Sequence, residues 1–226
     1  MENIKRDSTW LSKFKSNSYS QMGEDGVIEK ILEILQKNEE WCVEFGAWDG
    51  ITLSNTLKLI RKKDYSAILI EGSKTRFKDL KRNFIKDPKV TTINQFVGFN
   101  EKDNLDKILK DTSIPVDFDF CSIDIDGNDY HVWKAMLKYR PKVVCIEFNP
   151  TIPTEIKFEQ LPNPSVSQGV SLLSLVELGK KKGYELISVI HWNAFFVRDE
   201  YFKLFQIEDN RPEILRTDLG GITYIF

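Results

Sequence analysis

The chain has 226 residues, with 32 Lys or Arg against 34 Asp or Glu and a formal net charge of −2, which suits one α/β domain with a sizeable core and is short for two independent ones. So even a balance gives no overall basic field for nucleic acid. No run approaches the roughly 20 apolar residues of a membrane span, and Met1–Ser20 is polar, without a signal-peptide core. A single cytoplasmic domain over residues 1–226 is expected, with residues 1–40 as a helical extension. Cys42, Cys121 and Cys145 are widely spaced and there are two histidines, so no zinc spacing arises and buried free thiols are expected.

Ser18-Tyr-Ser-Gln-Met-Gly23 reads as a loop that either reaches a ligand or leads into the next helix. In that helix Val27, Ile28, Ile31, Leu32 and Leu35 recur at helical spacing behind Glu24 and Asp25, acids that suit a first turn. Cys42-Val-Glu-Phe-Gly-Ala-Trp-Asp-Gly50 reads as a buried strand stopping at a glycine turn. Gly46 permits a sharp turn off the strand, and Gly50 lets a helix or a ligand approach the backbone. A helix over Ile51–Lys63 is predicted next, then a strand from Ser66 that ends at Glu71. Glu71 lies about twenty residues beyond Gly50, the spacing at which a nucleotide-binding βαβ unit offers an acid to a ribose diol. A dinucleotide pyrophosphate would need more glycines and would meet Asp49. An adenosyl amino acid, with an ammonium and a sulfonium, suits an acidic turn.

Ser73 is placed to cap a helix running to about Ile85 and ended by Asp87-Pro88. Val90–Val97 reads as a third strand, Leu105–Leu109 as a helical segment, and Phe118–Asp124 as a fourth strand that runs into Asp124-Ile-Asp-Gly-Asn-Asp129. Tyr130–Tyr139 is predicted helical and Lys142–Phe148 is an apolar fifth strand. Residues 149–169 hold Pro150, Pro153, Pro162 and Pro164 and form either an acceptor-binding lid or a surface excursion. Val170–Lys182 returns to helix with Gly183 as its stop. Tyr184–Ile190 and Ala194–Val197 flank His191-Trp-Asn as a hairpin, Glu200–Phe205 forms a short helix, and Ile222–Phe226 is an edge strand or an oligomer contact. This alternation predicts a doubly wound, Rossmann-like, mostly parallel sheet with a C-terminal antiparallel hairpin, binding ligand at the carboxyl ends of its strands.

Ser20-Gln-Met-Gly-Glu-Asp25, the Cys42–Gly50 turn, Ile-Leu-Ile-Glu-Gly72, Ser-Ile-Asp-Ile-Asp-Gly-Asn-Asp129 and Ile-Glu-Phe-Asn-Pro150 together resemble the FkbM-type group of class I S-adenosylmethionine-dependent methyltransferases. The likeness covers roughly residues 18–200 by motif order. It implies the class I methyltransferase fold and O-methylation of a sugar or related acceptor, nucleotide-linked sugars included, in surface-polysaccharide (capsule) or natural-product pathways. It further implies that Glu44, Gly46, Ala47, Asp49 and Gly50 surround the methionine portion of the cofactor, with Gln21 at its end. Glu71 and Gly72 then hold the ribose, Phe96 and Val97 flank adenine, and Asp124 lies beside the sulfonium. Ala47 and Trp48 stand where many relatives carry glycine or smaller residues.

A sugar hydroxyl is a weak nucleophile and needs a base or a metal to take its proton. Asp124, His131 and His191 are the candidate bases. By resemblance to metal-dependent O-methyltransferases, Asp124, Glu147 and Asn149 are the candidate ligands for Mg2+. Ordinary helix-start chemistry favours capping for Asp126 and Asp129. Tyr130, Trp133 and Trp192 read as core aromatics before sugar-stacking ones. Two other functions remain open on these residues: a nicotinamide-dependent oxidoreductase, disfavoured by the glycine-poor turn, and a catalytically silent binding module. Homo-oligomerisation is also open.

Overall fold

Alternation along the strands divides the apolar side chains into two layers. Ala67 and Leu69 belong to one buried cluster and Ile68 and Ile70 to the other, and Val143 to Ile146 alternate in the same way. The computed structural model describes residues 6–36 and 39–219. In chain order its elements are α1 (Glu24–Leu35), β1 (Trp41–Phe45), α2 (Leu57–Lys63), β2 (Ser66–Ile70), α3 (Lys74–Phe84) and β3 (Val90–Ile93). These are followed by α4 (Leu105–Leu109), β4 (Phe120–Ile123), α5 (Asp129–Ala135), β5 (Val143–Glu147) and α6 (Leu172–Lys181). The chain ends with β6 (Tyr184–Ile190), β7 (Asn193–Arg198), α7 (Asp199–Phe202) and α8 (Pro212–Leu215), with 3-10 turns at Trp10–Phe14 and Lys203–Phe205.

The strands form one seven-stranded sheet in the order β3-β2-β1-β4-β5-β7-β6. β1 to β5 pair in parallel, and β7 runs against both β5 and β6, which is the predicted architecture. α1, α2 and α3 cover one face through Ile28, Ile31, Leu59 and Leu80. On the other face α4, α5 and α6 pack Leu105, Trp133 and Leu175 against Val43, Cys121 and Val144. The three cysteines are buried and free, and among the described residues no helix is long and apolar enough to cross a membrane.

Three predicted elements are shorter than their periodicity suggests, each for a local reason. The helix expected from Ile51 starts at Leu57 because the Glu44 carboxylate takes the hydroxyls of Ser54 and Thr56, each at 2.6 Å, and the amide of Asn55 at 2.9 Å. The third strand stops at Ile93, and Asn94 turns its amide onto the carbonyl oxygens of Glu71 and Gly72. The helix expected to reach Tyr139 ends at Ala135, where the Asp106 carboxylate from α4 accepts the amides of Leu137, Lys138 and Tyr139. The strand expected at Ile222–Phe226 lies outside the described residues.

Candidate active site

The turn after β1 is built by close approach. Gly46 has φ +74°, and a Cβ there would stand 2.1 Å from the Asp124 carbonyl oxygen, so the ends of β1 and β4 touch through a glycine. Trp48 follows at φ +49° and donates its amide to Glu71 Oε2 at 2.9 Å, while Ser73 donates to Oε1 at 2.6 Å. One carboxylate thereby ties the β1 turn to the β2 turn. Burial raises the affinity of Glu44 for a proton, against the Ser54, Thr56 and Asn55 donors that favour its charge.

These turns open on a cleft of about 620 Å3. Gln21, Glu44, Gly46, Ala47, Glu71, Gly72, Phe96, Val97 and Asp124 all line it. Phe96 is largely exposed, its ring lying where a Gly72 Cβ would fall. Asp49 and Gly50 fall outside the lining. Asp49 is turned onto the amides of Ile51 and Thr52 and the Thr52 hydroxyl, and Gly50 makes room for Phe84 and Leu80 of α3.

At the carboxyl ends of β4 and β5, oxygens of Asp124, Asp126 and Glu147 lie within 4.8 Å of one another, close enough to share a cation. Asp124 and Glu147 hydrogen-bond to each other. Burial, then the Asp124 charge, pushes Glu147 up to about 9, and burial raises Asp124 as well. Asp129 accepts the amides of Ile125 and Gly127, and burial holds it at about 7. It therefore ties down the Asp124–Gly127 turn and does not cap α5. Asp126, at φ +58° in that turn, joins the acid group where capping was expected. Asn149 is turned elsewhere: its Oδ1 accepts the amide and hydroxyl of Thr151.

A second cavity of about 180 Å3 lies beyond the acids, lined by Asp126, Glu147, Asn149, Ser167 and Gln168 among others. Its outer wall is the 149–169 loop, held by Gln160, whose Oε1 accepts the amides of Gln168 and Gly169 and whose Nε2 donates to the Val166 carbonyl. His131 Nε2 lies 2.7 Å from the Gln160 carbonyl oxygen, and His191 Nδ1 lies 2.6 Å from Asp218 Oδ2 at the hairpin tip. Neither histidine lines the cleft or the second cavity.

No family model and no curated protein matches the sequence. Solved structures match in architecture: the citrinin polyketide synthase CMeT domain has a TM-score of 0.50 at 11% identity, over 80% of this chain and 54% of that one. A SAM-dependent methyltransferase from Aquifex aeolicus has a TM-score of 0.45 at 14% identity, over 85% and 97%. The chain has the class I methyltransferase fold. The N-terminal domain of EvdMO1, solved in the presence of SAH and D-fucose, matches with a TM-score of 0.45 at 11% identity over 84% and 93%.

Within this methyltransferase fold, several lining residues escape a reading of the sequence alone. Glu24 suits a helix start, yet its carboxylate accepts from Asn193 of β7 across 169 positions of chain and lines the cleft. Trp192 lines the cleft half-buried, whereas Trp133 and Tyr130 are core as expected. Arg76, whose guanidinium sits 5.1 Å from the Trp48 ring centroid, is the basic side chain of the lining. The hairpin tip after β6 was the usable signal for Trp192 and Asn193; no local pattern marks Arg76.

Proposed function

We propose that the protein is an S-adenosylmethionine-dependent O-methyltransferase whose acceptor is a sugar or sugar-derived small molecule of surface-polysaccharide assembly. The supporting observation is that Asp126 lines both the large cleft and the smaller cavity, with Asp124 beside it on the first and Glu147 on the second. The residues present fit the cofactor: Glu71 faces the cleft held between two amide donors, Phe96 offers a flat apolar surface, and the lining is acidic. S-Adenosylmethionine supplies an electrophilic methyl group on positive sulfur.

The chain's own residues then have two tasks. Ser167 and Gln168 give the second cavity the hydroxyl and amide groups that hold a polyhydroxylated ring, which aligns one oxygen at the junction. Asp124, ionised and steadied by the Glu147 proton, takes the hydroxyl proton as the oxygen is methylated. His131 and His191 are left as structural contacts. Mg2+ fits the same three carboxylates as an alternative means of acidifying the hydroxyl, with Asp126 in the place first read for Asn149.

The test is methyl transfer from trideuteromethyl-labelled S-adenosylmethionine to a panel of free and nucleotide-linked sugars, read by mass spectrometry with and without EDTA. Labelled product that persists in EDTA and vanishes in Asp124→Asn is expected. Loss on chelation with recovery on adding Mg2+ would reassign the acids to a metal. Binding of a nicotinamide cofactor in place of S-adenosylmethionine would end the reading.

A further inference from the structure

Six acids give the cleft a negative field: Glu24, Glu44, Glu71, Asp103, Asp124 and Asp126. Glu24 is the most deeply buried of them, at 1% exposed. Its Oε2 accepts the Met22 amide at 2.7 Å and its Oε1 the side-chain amide of Asn193 at 3.0 Å. Both donors are neutral, and among the described residues no Lys, Arg or His pairs with it. Arg76, the basic side chain of the lining, stands over Trp48 at the turn after β1. Buried charges are ordinarily paired, and the chain supplies this one with no cation.

Asn193, the first residue of β7 and 5% exposed, provides a second and independent observation. A carboxylate only accepts, so the amide must present its NH2 group to Glu24. Its Oδ1 is thereby turned elsewhere, and that buried oxygen has no donor. Asn193 lines the cleft as Glu24 does, so a bound molecule can reach both. The two needs differ in kind: Glu24 lacks a positive charge, and Asn193 Oδ1 lacks a hydrogen-bond donor. A hydroxyl answers only the second. An ammonium, with its unit charge and three N–H donors, answers both.

On the reading that the cleft holds S-adenosylmethionine, we propose that Glu24 and Asn193 seat the α-ammonium of its amino-acid end, and that this seat selects adenosyl amino acids over adenosine thioethers without the amine. The pair comes from α1 and from the C-terminal hairpin, outside the glycine turn after β1. The hairpin is then a specificity element as well as the closing pair of the sheet. Asn193 also stands in register with Glu147 of β5, so the seat adjoins the acid group on the neighbouring strand. A ligand without the amine leaves the Glu24 charge and the Asn193 oxygen unanswered, and binds more weakly for it.

Calorimetric titration in EDTA tests this with S-adenosylhomocysteine and its deamino analogue, in which hydrogen replaces the α-amino group. The unmodified protein should bind S-adenosylhomocysteine about tenfold or more tightly than the analogue, the usual return of charge-assisted hydrogen bonds. Glu24→Gln and Asn193→Ala should each remove most of that difference by weakening S-adenosylhomocysteine and leaving the analogue no weaker, with the unfolding transition checked on each sample. If a variant does not fold, the comparison in the unmodified protein still decides. Equal or tighter binding of the analogue by the unmodified protein overturns the proposal and leaves the cofactor reading in place, as does a folded variant that weakens both ligands alike. Binding of neither ligand overturns the cofactor reading beneath it.

Discussion

Gly46 has little freedom to change. Its φ of +74° and the 2.1 Å approach to the Asp124 carbonyl oxygen mean that Gly46→Ala adds a backbone strain of about 1–3 kcal/mol to a clash that only separation of β1 from β4 relieves. A lower urea midpoint together with lost S-adenosylhomocysteine binding is expected; a variant as stable as the parent would show that the two strand ends are not in contact. Glu147 makes a prediction of a different kind. Its folded pKa of about 9 lies above the ordinary 4.5, so the stability linked to its proton is whole below about 4.5 and is lost as pH rises through 9. Turnover should fall over the same range as Glu147 loses the proton that steadies ionised Asp124. Glu147→Gln should flatten both curves, in a urea series and in a pH–rate profile, and two unchanged slopes would place the proton elsewhere. Gly46 and Glu71 were legible from spacing along the chain. The true partners of Asp129 and Asn149 were not, because they depend on how a turn closes.

Buried charge fastens the elements at the edge opposite the cleft. Asp119, just before β4, accepts the amides of Glu39 and Glu40 at the entry to β1 and pairs with Lys142, just before β5, at 2.7 Å. Both side chains are almost wholly buried. Asp119→Ala breaks this buried pair and should cost about 3–5 kcal/mol, read as a fall in unfolding free energy; the pair Asp119→Ala with Lys142→Met should recover much of it. A loss confined to a few tenths would mean that Lys142 finds another outlet. Hydrophobic period located most helices and strands to within a few residues. It failed at Ile51 and at Met136, where Glu44 and Asp106 draw the chain out of helix with hydrogen bonds from distant positions.

Across the whole molecule, a net charge of −2 conceals a separation of sign. The cleft is acidic, while the exposed side of α3 carries Lys74, Arg76, Lys78, Lys81 and Arg82. Strand-and-helix alternation was enough to foresee the sheet and its hairpin, since parallel strands need crossovers and leave few alternative orders. It was not enough to foresee the field. Glu24, Glu44, Glu71, Asp103, Asp124 and Asp126 come from separate stretches of chain that meet only once the sheet has formed. The loop over residues 149–169 is where this assembly has its plainest thermodynamic outcome. Stitched by Gln160 and gripped by Arg216 through the carbonyls of Pro150 and Ile152, it is ordered during folding. An acceptor of the kind proposed would therefore meet a finished surface, sparing at each encounter the entropy that a floppy flap would surrender.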